Sequence, residues 1–245
     1  MVSTEQYEQM KAATVAEVAL SYPQAIEVLN KYNLDYCCHG SINFTKACNQ
    51  AALDPEMVWE EIQQAPATQR TGNQLNFSKW SSTMLIDFIV QHHHAYVQDS
   101  IPQIRELLDK ICKVHGDTNP ELLAVRNDFE ELAEELLNHL PKEEEILFPA
   151  IRRMEGTENL VTGNVILPSS LHMPIRIMED EHERAGELIM SIREKTSHYT
   201  VPPYGCPTYQ LAFLMLQEFD NDLIQHIHLE NNILFPRVKN ESVIK

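Results

Sequence analysis

Two copies of one short motif hold the residues in this sequence that are best suited to bind metal ions. In the first copy, His139 is followed four positions later by Glu143 and then by Ile-Leu-Phe-Pro. The second copy, with His226 and Glu230, repeats this order and spacing at an offset of 87 residues. Residues four apart lie on one face of a helix, so each His–Glu pair can reach a common ion. The repeat predicts a site built from two similar helical segments.

A further histidine precedes each motif on the preceding predicted helix. His94 lies 45 residues before His139, and His182 lies 44 residues before His226. Both fall in register with the apolar stripes of their own helices, so they are predicted to point inward. Gly186, one turn after His182, is small enough to leave room for a metal centre. The domain therefore reads as two helical hairpins, each contributing one histidine and then one His–Glu pair.

The two glutamates also lie on apolar stripes, and this predicts that they are buried. A buried carboxylate is costly unless a cation neutralises it, so two divalent metals are expected. Nitrogen and carboxylate ligands with open positions suit iron or manganese better than structural zinc, and iron is favoured. Two imidazoles per ion and two bridging carboxylates leave each ion open to water, oxo, O2 or NO. The predicted ligands are His94, His139, Glu143, His182, His226 and Glu230.

Other polar residues near these motifs have two readings each. Glu135 lies one turn before His139, and Glu181 adjoins His182, so either could hydrogen-bond a ligand or relay protons. A solvated charge on the helix surface is the alternative for both. The remaining histidines are expected to be exposed or to cap helices: His92, His93, His115, His172, His198 and His228.

A second site of possible chemistry is the adjacent pair Cys37 and Cys38. Adjacent cysteines cannot chelate a metal as Cys-x-x-Cys does, so the pair is predicted to be an exposed thiol site for metal, nitrosyl or redox partners. Two small buried residues are the alternative. The five cysteines have no disulfide framework spacing, and free thiols are expected.

The elements that must position these residues are helices. Four long amphipathic segments, at about 82–114, 121–154, 174–195 and 208–238, predict an antiparallel four-helix bundle. Shorter helical patterns predict a small helical domain over residues 1–64, followed by a polar linker at 65–76 and the bundle at 77–245. Only 7 glycines in 245 residues also disfavour a sheet-rich fold, so the chain is predicted to be all-α.

Charge and hydropathy narrow the classes of partner. The formal net charge is −17, which disfavours binding to nucleic acid or to an anionic membrane surface. No apolar segment has the length of a membrane span or the pattern of a secretory signal. A cytoplasmic protein is expected.

The chain resembles the di-iron repair-of-iron-centres family, the iron–sulfur cluster repair proteins of bacteria, over nearly its whole length. Its bundle is similar to that family's hemerythrin-like domain through the two His-x3-Glu motifs with Ile-Leu-Phe-Pro. On this resemblance, the family's metal ligands fall on the six residues given above. The similarity to the family's N-terminal domain is carried by Val15-Ala16-Glu17, Lys31-Tyr32 and Asp35-Tyr36-Cys37-Cys38.

The resemblance implies a function and leaves alternatives open. It implies a cytoplasmic protein, made under nitrosative or oxidative stress, that restores damaged iron–sulfur proteins by supplying iron and whose di-iron centre reacts with NO. The same ligands would also serve two alternatives: a di-iron NO reductase or related oxidoreductase, and an O2 or NO sensor. The sequence is also compatible with a homodimer. Two residues depart from the expected pattern. His39 stands where glycine is common, and Pro141 should kink its helix or force a bulge.

Overall fold

The computed structural model describes residues 10–22, 24–65, 77–156 and 170–241. Across these ranges the chain is helical between its turns, and the one extended pairing is an isolated bridge between Thr14 and Asn43. The prediction of an all-α fold is confirmed. Nearly all of the predicted linker, residues 66–76, lies outside the described residues, so the domain boundaries stay predictions.

The described N-terminal part contains four short helices after residue 14, and three of them begin at a side-chain cap. The Thr14 hydroxyl accepts a hydrogen bond from the amide of Glu17, and the Glu17 carboxylate accepts one from the Thr14 amide, which forms a capping box. Asn43 and Asp54 also cap the helices that follow them. The helices are α1 (Val15–Ser21), α2 (Ala25–Lys31), α3 (Phe44–Gln50) and α4 (Pro55–Gln64).

The C-terminal part is the predicted four-helix bundle. Helix α6 packs on α7 and α10, and α9 packs on α7 and α10, so the four long helices form a closed ring. Three of the bundle's helical rods contain a π-helical turn. In chain order the elements are a 3₁₀ turn (Phe77–Lys79), α5 (Ser82–Phe88), π1 (Ile89–His94), α6 (Ala95–His115), α7 (Glu121–Lys142), π2 (Glu143–Leu147), α8 (Phe148–Met154), α9 (His172–Lys195), α10 (Pro207–Leu229), π3 (Glu230–Leu234) and α11 (Phe235–Glu241).

The apolar core is divided into two clusters, and the predicted ligands lie between them. Along α7 and π2, Leu136 and Leu140 belong to the larger cluster, which also includes the N-terminal helices, whereas Leu147 belongs to the smaller one. His139 and Glu143 fall at the change from one cluster to the other. The bundle therefore holds its polar centre in a layer with hydrophobic side chains on both sides.

The π-helical turns π2 and π3 have a cause that both motif copies share. Pro149 and Pro236 each lie two residues after a π turn; they lack an amide proton, and their rings would crowd the carbonyl four residues earlier. A π turn, with its wider hydrogen-bonding interval, relieves that crowding. The predicted bulge does follow Pro141, but the equivalent position in the second copy is His228, and π3 still forms. Pro141 is therefore not the common cause.

Hydropathy gives one further result. Among the described helices, none combines the length and apolar character needed to cross a membrane.

Candidate metal centre

The six predicted ligands converge into two overlapping groups at the centre of the bundle. Within each group the ligand atoms all lie within 4.8 Å of one another, and every member is buried. Both glutamates belong to both groups, whereas each histidine belongs to only one. One group contains His94, Glu143, His226 and Glu230, and the other contains His139, Glu143, His182 and Glu230.

The histidines face each other in pairs through their Nε2 atoms. Nε2 of His94 lies 3.2 Å from Nε2 of His226, and Nε2 of His182 lies 3.1 Å from Nε2 of His139. Adjacent ligands on one ion with bonds of about 2.1 Å lie about 3.0 Å apart at right angles. The spacing of both pairs is thus close to that of two nitrogen ligands on a common cation.

Glu143 is placed to contact both metal groups. Its side chain is fully buried, and neither oxygen has a hydrogen-bond donor in bonding geometry. Its Oε2 lies 3.4 Å from Nε2 of His94 and 3.3 Å from Nε2 of His139. A buried carboxylate without donors is destabilising, so this geometry fits a bridging ligand between two cations.

Glu230 occupies the equivalent place in the second motif. It is also fully buried, and both of its oxygens lack a hydrogen-bond donor. Oε1 lies 3.2 Å from Nε2 of His226, and Oε2 lies 3.2 Å from Nε2 of His182. The two oxygens therefore face different metal groups, as a bridging carboxylate would.

The electrostatics of the centre demand positive charge. Burial and the charge of Glu230 push the pKa of Glu143 upward, but the imidazoles of His139 and His94 outweigh them and hold it at about 2. Burial alone would lower the pKa of His139, yet Glu143 raises it to about 10. The carboxylates therefore stay ionised, and either protons on the imidazoles or bound cations must balance them. Metal binding would release those protons.

One acceptor follows each of the two central glutamates and contacts a histidine of the centre. Oε1 of Glu144 lies 2.8 Å from Nδ1 of His94, and Oδ1 of Asn231 lies 2.9 Å from Nδ1 of His182. Such contacts fix the ring so that Nε2 faces the central glutamates, where it could ligate a metal. Sequence reasoning missed both acceptors, although they occupy the same position in the two motif copies.

The two glutamates that were assigned a supporting role have different environments. Oε2 of Glu181 lies 2.8 Å from Nδ1 of His139, and Glu181 also accepts from Lys142 at 2.5 Å. The hydrogen bond with His139, more than any other contact, lowers the pKa of Glu181 to about 2. Glu135 instead forms an ion pair with Arg184 across the helix surface. The contact proposed between Glu135 and a ligand is absent from the described residues.

Two histidines predicted to be exposed or capping are buried, so that prediction is wrong for them. His93 is fully buried; its ring stacks on that of His226, with centroids 5.6 Å apart and planes 4° apart, and its Nδ1 lies 2.9 Å from Asp222. His228 is buried against the N-terminal part, with its ring edge-on to Tyr36. Burial lowers the pKa of His228 to about 4, so it is neutral at physiological pH.

The cysteine loop folds around one carboxylate. Asp35 Oδ1 accepts the amides of Cys37 and Cys38, both at 2.9 Å, and Oδ2 lies 2.8 Å from Nδ1 of His39. Cys37 is buried, and its hydrogen bond with Cys38, together with burial, raises its pKa well above the usual range. The prediction of an exposed thiol pair is therefore wrong for Cys37, while Cys38 remains half-buried.

This loop docks directly on the bundle beside the metal centre. The Cys38 thiol donates to the carbonyl oxygen of His182 at 3.3 Å, and Asn231 Nδ2 donates to the carbonyl oxygen of Cys37 at 3.3 Å. A Cβ atom on Gly186 would lie 3.1 Å from Sγ of Cys38, so this glycine makes room for the loop. His39 adds a contact at 3.1 Å to Glu183 on α9.

Comparison with known proteins agrees with this architecture. Residues 85–238 match the model of the hemerythrin HHE cation binding domain, and residues 11–66 match a domain of unknown function, DUF542. The chain is 34% identical over 227 residues to a probable iron-sulfur cluster repair protein of Haemophilus influenzae. This alignment covers 93% of this chain and 96% of that protein. It is also 34% identical over 226 residues to the iron-sulfur cluster repair protein YtfE of Escherichia coli O157:H7, covering 91% and 94% respectively.

Fold and site together define a hemerythrin-type cation-binding bundle joined to a small helical domain. Within that class, the chain belongs to the family of iron-sulfur cluster repair proteins.

Proposed function

We propose that this chain holds two iron ions in the buried centre and gives up iron to proteins whose iron–sulfur clusters have been damaged. The similar proteins are named as iron-sulfur cluster repair proteins, and their similarity to this chain supports the same role here. The main supporting observation is that four histidines surround two buried glutamates whose oxygens have no hydrogen-bond donor. In addition, the thiol of the cysteine loop contacts the backbone carbonyl of His182.

The donor set fits iron and its release. Four imidazole nitrogens and two carboxylates, with no cysteine among them, suit iron better than structural zinc. Each ion would have four of these donors in reach, which leaves positions open for water or a small ligand. His94 and His226 would hold one ion, His139 and His182 the other, and Glu143 and Glu230 would bridge them.

In this proposal, the thiol loop is the exit route for the iron. Cys38 is half-buried and lies against His182, while Cys37 stays protonated in its buried position. Because the Cys38 sulfur contacts the backbone of His182, we assign it as the thiol that receives iron leaving past this ligand. In this proposal the cytoplasm, where thiols stay reduced, is the compartment, and a damaged iron–sulfur protein is the partner.

The test is iron transfer under anaerobic conditions. Iron-loaded protein is mixed with sulfide, a reductant and a dehydratase whose iron–sulfur cluster has been damaged by NO. The dehydratase activity and the amount of iron that remains bound to the chain are then measured over time. Recovery of activity with matching loss of iron supports the proposal. Recovery that is equal with the metal-poor variant Glu143→Leu, or no recovery with all iron retained, contradicts it. The variant Cys38→Ser is expected to keep its iron and transfer it more slowly.

A second candidate function is reduction of NO by the same centre. The open positions on each ion favour it, and when bound the iron would supply the electrons and the binding site for NO. Steady formation of N2O under constant reduction would support an NO-reducing oxidoreductase, whereas a single binding event per centre would count against it. Homodimer formation stays a prediction.

A further inference from the structure

A second cluster of metal-ligating side chains lies beside the centre and is used by none of the steps above. It consists of His92 and His93 at the end of π1 and Asp222 on α10, and their ligand atoms all lie within 4.8 Å of one another. His92 is exposed, Asp222 is largely buried and His93 is fully buried. The cluster therefore runs from the surface into the bundle.

Two buried atoms in this cluster have no partner. His93 Nε2 and Asp222 Oδ2 are inaccessible to water and lack hydrogen bonds, although Nδ1 of His93 lies 2.9 Å from Oδ1 of Asp222. That separation is close to the distance of about 3.0 Å between adjacent ligands on one cation. Buried polar atoms are normally satisfied, so the unpaired Oδ2 of Asp222, on the same carboxylate as this contact, points to a missing partner.

The local charge is negative, which favours a cation as that partner. The charges of Glu218 and Asp222 both act on Tyr96, whose hydroxyl is also buried without a partner. In the described part of the chain, His93 is the one basic residue that pairs with Asp222. No lysine or arginine from those ranges neutralises this carboxylate.

We propose that His92, His93 and Asp222 bind a third divalent transition-metal cation, outside the buried two-metal centre. Two imidazoles and one carboxylate select a borderline cation such as Fe²⁺, Co²⁺ or Zn²⁺ over Mg²⁺ or Ca²⁺. Water would complete its coordination, because His92 is exposed. The ring of His93 stacks on that of the ligand His226, so this third site lies between solvent and the centre. This role rests on the proposed function: the third site would bind iron temporarily as it enters or leaves the two-metal centre.

The experiment titrates Co²⁺ into the full chain after its centre has been loaded with iron and oxidised. Binding is followed by the visible absorption of Co²⁺ and by calorimetry, and iron is assayed before and after. The wild-type chain is expected to bind one Co²⁺ without losing iron. His92→Gln and Asp222→Asn should each weaken that binding at least about tenfold. The matched control His172→Gln, at an exposed histidine elsewhere, should bind as the wild type does.

Two results would overturn the third site: no Co²⁺ bound by the iron-loaded wild type, or equal binding by wild type, His92→Gln and Asp222→Asn. Both substitutions are expected to preserve folding, because His92 is exposed and asparagine keeps the shape of Asp222; circular dichroism checks this. The iron content measured before titration tests the proposed function separately. A chain with two irons and no third site refutes only this inference.

Discussion

Replacing Asn231 by leucine should weaken the metal centre and loosen the cysteine loop together, because one side chain serves both. Its Oδ1 lies 2.9 Å from Nδ1 of His182, and its Nδ2 donates to the carbonyl oxygen of Cys37 at 3.3 Å. Leucine has a similar volume but offers neither an acceptor nor a donor. The substitution therefore removes two hydrogen bonds with little change in packing.

The expected sizes of the two effects follow from the contacts. Loss of the partner that orients a ligating histidine lowers metal affinity about 10- to 100-fold, which corresponds to about 1.4–2.8 kcal/mol. Loss of the hydrogen bond to Cys37 removes about 1 kcal/mol of docking free energy and should raise the open-loop population about fivefold. Cys38, which is half-buried in the docked loop, should then react faster with an alkylating reagent.

Glu144→Leu is the matched control, because Glu144 has the same position in the first motif. It lies 2.8 Å from Nδ1 of His94 but makes no hydrogen bond or ion pair with the cysteine loop in the described part of the chain. Fe²⁺ affinity is measured anaerobically by competition with a chelator, and Cys38 alkylation is measured by peptide mass spectrometry. Both variants should bind iron more weakly, and only Asn231→Leu should speed alkylation. Unchanged affinity in Asn231→Leu, or equal acceleration in both variants, would refute the reasoning.

Two further predictions concern parts of the chain away from the centre. The hydrogen bond from His115 lowers the pKa of Cys206 to about 7, so its alkylation rate should rise with pH through a midpoint near 7; His115→Gln should move that midpoint toward 9.0, and an unmoved midpoint would exclude this cause. Arg193 makes two hydrogen bonds to the buried Asp220, so Arg193→Leu should lower the free energy of unfolding by about 3–5 kcal/mol. In urea unfolding the half-exposed control Arg105→Leu should cost about 1 kcal/mol or less, and an equal loss in both variants would contradict the assignment.

The fold and the convergence of the six candidate ligands could be predicted because they depend on helical periodicity. His139 and Glu143 recur at a fixed offset as His226 and Glu230, and both pairs lie on apolar stripes that only a bundle can bury. The structure brings those residues together with the two upstream histidines, but each group pairs histidines from different hairpins, and the sequence did not specify this pairing. Local pattern and global packing agree at these positions.

The burial of His93 could not be predicted, because the direction of each side chain was inferred from the periodicity of a regular α-helix. In an α-helix, placing His94 inward turns His93 away from the core. The chain forms a π-helical turn over Ile89–His94, which has more residues per turn, and both side chains are buried. Asp222 was missed for the same reason, because its partner His93 was predicted to point away from the core.

The environment of Cys37 was missed for a different reason. Its burial depends on contacts with residues far along the chain, since Asn231 and Asn232 hold the carbonyl oxygens of the loop. Local sequence around the two cysteines carries no signal for such docking. Likewise Glu135 and Glu181 both had a suitable helical position, but Glu135 pairs with Arg184 whereas Glu181 contacts His139.

The most direct test of the central claim is iron content with Mössbauer spectra of anaerobically purified protein, compared with Glu143→Leu. Both metal groups share this buried glutamate, so the wild type is expected to hold two irons per chain with a coupled two-iron spectrum. The variant should lose the coupled spectrum and keep its helicity by circular dichroism. One iron per chain in the wild type, or a coupled spectrum that is undiminished in the variant, would contradict a glutamate-bridged two-iron centre.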